Sequence, residues 1–346
     1  MTKLNLKLAL FLFTAILTLT NGCKKPEEIK VETENYKGIL VVNEGKYGAS
    51  NGSIGLFKNG NNTYFNAFEK ANNRPLGDIV QSINKLNNKF YIAVNNSNKI
   101  EIVNADNFNY ESTISVSSPR YILPINPNKA YISHLYSNEV SILNLQNNSV
   151  SGKINIDHWS ENMALINSKA FVGTNSKIIS VINTSTDKLI DSIMVGNGLN
   201  KIIDINNNKG VALSTGLVDY TTGNVLENGK LVFFSADSNK TYNTINLSSG
   251  SYGGSMATYG STIYYTLGDN KLYSINTDGT NNQLFLTLAS GTSIYGLNVD
   301  QKNGWIYITD AKDYNSAGKV YIYNATKQFV KEFTSGIVPN NVFFNE

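Results

Sequence analysis

Residues 88–108 read NKFYIAVNNSNKIEIVNADNF, residues 128–148 read NKAYISHLYSNEVSILNLQNN, and residues 168–188 read SKAFVGTNSKIISVINTSTDK. Their leading lysines, Lys89, Lys129 and Lys169, stand 40 residues apart, and NKGVALSTG places Lys209 another 40 on. A fixed period of this length is one supersecondary unit repeated in space. Within each unit, short runs of alternating β-branched and aromatic residues are separated by Asn, Gly, Ser and Asp. That is the pattern of strands and tight turns, and it fits the four-stranded blade of a β-propeller.

Working outward from this stretch, blade two spans 78–115, blade three 120–156 and blade four 162–195. Blade five spans 201–247 with an insertion at 216–229, blade six 252–288 and blade seven 294–333. Blade one, from residue 38 to residue 65, shows three strands and lacks an innermost one. One strand is left over near the other end, Asn341-Val342-Phe343-Phe344. Giving it to blade one completes seven blades and closes the ring, which removes the exposed sheet edges. The predicted fold is therefore all-β: a seven-bladed propeller of four-stranded antiparallel blades, closed by the C-terminal strand, with almost no helix.

Composition agrees. Charged residues are only 16% of the 346, while 41% are hydrophobic and Tyr and Phe number 20 and 15. Asn, Ser, Thr and Tyr supply the polar surface, and the aromatics suit strands. Residues 1–22 read as a targeting segment, with Lys3 and Lys7 ahead of an apolar run at 8–20 too short to span a bilayer. Gly22-Cys23 resembles the lipobox of a bacterial lipoprotein, although Thr20 and Asn21 depart from its usual residues. The resemblance implies cleavage before Cys23 and acylation there. Cys23 is the one cysteine, so no disulfide forms within the chain. Residues 23–36 read as the lipidated cysteine and a polar linker. Lys24-Lys25-Pro26-Glu27-Glu28 resembles the acidic signal that sends lipoproteins of Bacteroidetes-type bacteria to the cell surface. Loss of Lys3 and Lys7 with the leader lowers the formal charge from +3 to +1. That is no footprint for nucleic acid.

KFYIAVNNSNKIEIVN and KAYISHLYSNEVSILN resemble the YVTN/YncE-type propeller repeat. GILVVNEGKYGASNGSIGLF, NNRPLGDIVQSI and SPRYILPINPNKAYIS are similar to the Bacteroidetes lipoprotein branch of these propellers, and the likeness covers most of residues 37–346. This resemblance implies a surface-exposed outer-membrane lipoprotein. It would capture a ligand, a corrinoid such as vitamin B12, and pass it to a TonB-dependent transporter. No resident cofactor is implied; cobalamin would be the bound ligand.

In a four-stranded blade, the loop between strands two and three and the loop to the next blade share one face. The opposite face carries short Asn turns. The first face carries the long loops, where binding is expected. Arg74 and Arg120 both precede an innermost strand and are candidates for the central mouth or for ties between blades. Tyr47, Tyr136, Trp159, Tyr252, Tyr295 and Tyr314 are candidates for an aromatic platform, since aromatic surface with a polar tip suits recognition. Asn72, Asn138, Asn162 and Asn340 are candidates for bonding ligand amides or for turn chemistry. Together Tyr47, Arg74, Arg120, Tyr136, Trp159, Tyr252, Tyr295 and Asn340 form the expected ligand site.

Catalytic signals are weak. His134 and His158 are the only histidines, with no carboxylate cluster beside them in sequence, and no G-x-S-x-G occurs. Gly196-Asn197-Gly198 lacks the rest of a phosphate loop, and residues 310–315 lack the EF-hand spacing. The reading is a non-enzymatic binding protein. The alternatives are a protein- or glycan-interaction propeller and, last, a propeller lyase or lactonase. Fold alone does not separate them.

Overall fold

A computed structural model describes residues 36–58, 63–219, 221–247 and 254–345. The leader, Cys23, the linker to residue 35 and Tyr252 lie outside the described residues. Seven four-stranded antiparallel sheets follow one another around a ring. Blade 2 is typical: Val80–Leu86 is innermost, followed outward by Lys89–Val94, Lys99–Asn104 and Tyr110–Ser115. Blade 1 takes Thr63–Asn66, Ser53–Lys58 and Gly38–Asn43 from one part of the chain and its innermost strand, Pro339–Asn345, from the other. Val41 faces Val342 and Leu40 faces Phe343 across this seam. The strand left over in the sequence does close the ring.

The burial of each strand follows from its distance from the axis. Second strands such as Lys89–Val94 and Lys129–His134 are buried from their second residue onward. Both faces are covered by neighbouring blades, so the sequence there is a continuous apolar run. The outermost strands, such as Lys188–Met194, are almost wholly exposed. The core is divided among the gaps between blades, with one apolar cluster in each of the seven. The last gap packs Ile39, Val41, Phe57 and Val342 of blade 1 against Tyr307, Val320 and Ile322 of blade 7. Phe57 and Phe333 stack there with centroids 3.9 Å apart.

The Asn turns behave as their chemistry demands. Asn87 and Asn88 have φ of 48° and 58°, and Asn167 and Ser168 repeat those values. Two successive left-handed residues make the type I′ hairpin turn that matches strand twist. Two features were not anticipated. Ala67–Asn72 forms a short helix, capped by the Asn66 side chain accepting from the Glu69 N–H at 3.3 Å and ended by Asn73 at φ 52°. It covers the gap between blades 1 and 2 with Ala67 and Phe68. Six residues are too few to show a helical period. The insertion in blade 5 carries a small hairpin, Leu217–Val218 with Val225–Glu227.

Candidate functional site

Six of the seven innermost strands, all but that of blade 6, share an irregularity that builds the site. In blade 2 the pairing steps from Val80↔Val94 to Ser82↔Ala93, so Gln81 is an extra residue. Comparable slips occur at residues 120–121 of blade 3, 161–162 of blade 4 and Asn200 of blade 5. They recur at Tyr295 of blade 7 and Asn340 of blade 1. A β-bulge bends the strand and re-aims its side chain. These six bulges lie where their innermost strands begin, at the face that carries the long loops. The result is a polar cavity of about 410 Å³ in the mouth of the ring, lined by Glu44, Gln81, Arg120, Tyr121, Asn200, Lys201, Ser255, Tyr295, Tyr314 and Asn340 among others.

A chain of hydrogen bonds runs around much of the mouth. Glu161 accepts from Arg120 Nε at 2.9 Å, and Arg120 Nη1 donates to Gln81 Oε1. Gln81 donates to the Tyr121 hydroxyl at 3.3 Å. The Asn340 amide donates to the Gln81 carbonyl at 3.1 Å and to Glu44 Oε1 at 2.9 Å. The Tyr295 hydroxyl donates to the other Glu44 oxygen at 3.2 Å. Burial pushes the Glu44 carboxyl above its ordinary value, against the lowering pull of Asn340, Arg120 and Tyr295. Tyr295 is raised by burial and by the Glu44 charge. Burial works against the Arg120 charge, but Glu161, Tyr121 and Glu44 together outweigh it and hold its pKa above the ordinary value.

Two groups at the mouth stand outside this economy of donors and acceptors. Asn340 Oδ1 is buried and accepts from nothing among the described residues. Lys201, on blade 5, lines the cavity, and burial alone holds its amine below the usual lysine range.

On the loops of the same face, Tyr47 and Tyr136 are 76% and 69% exposed and Trp159 is also exposed, as is Tyr314 on the cavity wall. Tyr136 and Trp159 meet edge to face at 4.9 Å, as Tyr295 and Tyr314 do at 5.7 Å. Tyr136 and Tyr314 have φ of 64° and 60°. An aromatic residue there is strained by about 1–3 kcal/mol, a feature that gathers at binding sites.

The chain matches a domain of unknown function, DUF5074, over residues 37–334. It belongs to this family. No curated protein matches it. Among solved structures, a quinonprotein alcohol dehydrogenase-like protein from Bacteroides thetaiotaomicron has TM-score 0.68 at 16% identity, covering 90% of this chain and 79% of its own. Hydrazine synthase of Kuenenia stuttgartiensis has TM-score 0.61 at 16% identity, covering 77% and 91%. Dihydro-heme d1 dehydrogenase NirN, solved with DHE, has TM-score 0.60 at 9% identity, covering 92% and 77%. At these identities the likeness is one of fold.

For this member of the DUF5074 family, the residues singled out from sequence divide clearly. Arg120, Tyr295 and Asn340 meet at the cavity, and Tyr47, Tyr136 and Trp159 stand exposed on its face. Arg74 lies away from the mouth. Its guanidinium holds Glu101 through two bonds of 3.0 Å, and its Cζ lies 4.8 Å from the Phe68 ring centroid and 5.0 Å from that of Tyr110. This is a tie within blade 2 and its helix. Asn72 bonds the carbonyls of Phe68 and Phe108, and Asn162 accepts from the Ile202 N–H at 2.9 Å, joining blades 4 and 5. His134 is buried between the Ser117 carbonyl and the Ser141 hydroxyl, and burial lowers its pKa.

Glu44, Gln81, Tyr121 and Lys201 were not singled out. For the last three the signal was the period itself: Gln81, Tyr121 and Lys201 fall, with Glu161, on one 40-residue series. Each is the second or third residue of its innermost strand.

Gly296 permits the bulge of blade 7. A Cβ there would stand 2.1 Å from the Asn340 carbonyl oxygen. Gly296→Ala is expected to lower stability by about 1–3 kcal/mol, as overpacking does. Denaturant unfolding reads this directly; an unchanged midpoint would show that the two blades can move apart freely.

Proposed function

We propose that this protein is a non-catalytic binding propeller, a surface lipoprotein that captures a ligand at the bulged mouth and passes it to a TonB-dependent outer-membrane transporter. The observation that carries the reading is the mouth itself. A preformed polar cavity holds an unused acceptor, Asn340 Oδ1, with Tyr314 on its wall, and Tyr47, Tyr136 and Trp159 are exposed on loops of the same face. Pockets with a few convergent polar groups beneath apolar walls are where small molecules bind.

A corrinoid is the ligand class that the sequence resemblance favours. A corrin is a broad disc fringed with amides, too large for a cavity of about 410 Å³. It would lie across the mouth against the exposed aromatic side chains of this face, with a side group reaching the cavity. Amide N–H groups would serve the Asn340 acceptor. Membrane attachment would come from lipid on Cys23; among the described residues no helix is long and apolar enough to cross a membrane.

Calorimetric titration of cyanocobalamin into the purified protein tests this. One-to-one binding is expected, with Trp159→Ala weakening it by about 1–2 kcal/mol, roughly tenfold. No heat and no thermal shift would retire the corrinoid. A second reading, a protein- or glycan-interaction propeller, is favoured by the blade 5 hairpin, which exposes Leu217, Val225 and Leu226.

A further inference from the structure

We propose that Lys201 is an anion-binding subsite, holding a carboxylate or phosphate group of the ligand against blade 5 inside the mouth. The inference rests on the mouth being a ligand site, and is independent of the ligand being a corrinoid.

Lys201 is the third residue of the innermost strand Leu199–Asp204, directly after the bulge at Asn200. The bulge places it on the cavity wall beside Asn200 and Ser255. Its position is the one that Glu161 occupies a period earlier in blade 4. The difference between them is in their partners. The Glu161 carboxylate is taken by Arg120 at 2.9 Å. Among the described residues, Lys201 has neither a hydrogen bond nor an ion pair, and no neighbouring charge moves its pKa.

The charges around it are already committed. Arg120 is held by Glu161 and Gln81, and Glu44 by Asn340 and Tyr295. On its own blade, Lys230 pairs with Glu227 at 2.9 Å. The adjoining innermost strand of blade 6, Met256–Tyr259, brings no charged residue. Of the other titratable groups on the cavity wall, Tyr121 accepts from Gln81, and the hydroxyls of Tyr314 and Ser293 lie 3.3 Å apart.

Lys201 is half-buried in the cavity wall, and an enclosed ammonium without a counter-charge is costly, which works against its charged form. An anion entering the cavity reverses this. It supplies the missing charge and raises the amine pKa, so binding is accompanied by proton uptake at pH values between the free and the bound pKa and by none outside that window. The site thus favours an anionic group over a neutral isostere, although the protein as a whole carries little net charge.

The probes are inorganic phosphate and, separately, acetate, each titrated calorimetrically into the protein in two buffers of different ionisation heat. Saturable binding is expected for one or both, with proton uptake that appears as the pH of the titration is raised into the window between the free and the bound pKa, and the stronger of the two names the source of the group. Lys201→Met replaces the amine with an apolar chain of similar length. It is expected to fold at least as well and to bind the probes at least about tenfold more weakly. Lys201→Arg keeps a charge and should retain binding. Equal binding by the Met variant, or no saturable binding by the unaltered protein, overturns the subsite. A silent cyanocobalamin titration alongside phosphate binding would retire the corrinoid and leave the subsite standing; the converse would retire the subsite alone.

Discussion

Deletion of residues 339–346 is expected to abolish cooperative folding. Every other blade draws its strands from consecutive sequence, but blade 1 closes through the antiparallel pairing of Gly38–Asn43 with Pro339–Asn345. Without the closing strand, Gly38–Asn43 becomes an open edge, which is a template for aggregation. The apolar clusters on both sides of blade 1 lose their covers at once, because Phe343 packs on one and Val342 and Phe344 on the other. A point version isolates the packing. Val342 is buried, facing Val41. Val342→Asp sets an uncompensated charge there at a cost of about 3–5 kcal/mol. Size-exclusion chromatography and thermal unfolding read both variants. A monomeric deletion variant with an unshifted transition would mean that the ring does not depend on its seam.

The seam was readable because it follows from counting. A 40-residue period, one blade a strand short and one strand to spare leave a single closed arrangement. The site was harder to read for a physical reason. A side chain in a regular strand alternates between faces, so Gln81 and Lys201 read as ordinary strand positions. The bulges break that alternation and turn these residues into the mouth. Arg120 was found and Arg74 proved to be a blade tie, although both seemed to precede an innermost strand. Arg120 lies within its strand, Pro119–Asn126, whereas Arg74 follows the unanticipated helix and is captured by Glu101. Glu44 had no repeat partner to mark it. Its importance comes from contacts with Asn340 and Tyr295, roughly 250 or more residues away in sequence but adjacent across the seam.

Arg120→Ala is expected to destabilise the protein by about 3–5 kcal/mol and to make that loss grow with pH. Arg120 is the cation on which the mouth depends. It holds Glu161 and Gln81, and its charge lowers the pKa of Glu44. Removing one partner of an enclosed ion pair leaves the other charge uncompensated, which sets the magnitude. The pH dependence follows from Glu44, whose folded-state pKa is already raised by burial. A carboxyl with a raised native pKa binds protons more tightly when folded. Its penalty is absent below the unfolded pKa and develops fully as pH rises through the folded one. Without Arg120 the folded pKa climbs further, so the window widens and the slope of stability against pH steepens. Denaturant unfolding at about pH 5 and about pH 8 separates the two contributions. Arg120→Ala combined with Glu44→Gln should recover part of the loss at the higher pH and little at the lower. An Arg120→Ala deficit that does not change with pH would mean that Arg120 acts through packing on Tyr121 and its bond to Gln81, with Glu44 stabilised by Asn340 and Tyr295 alone.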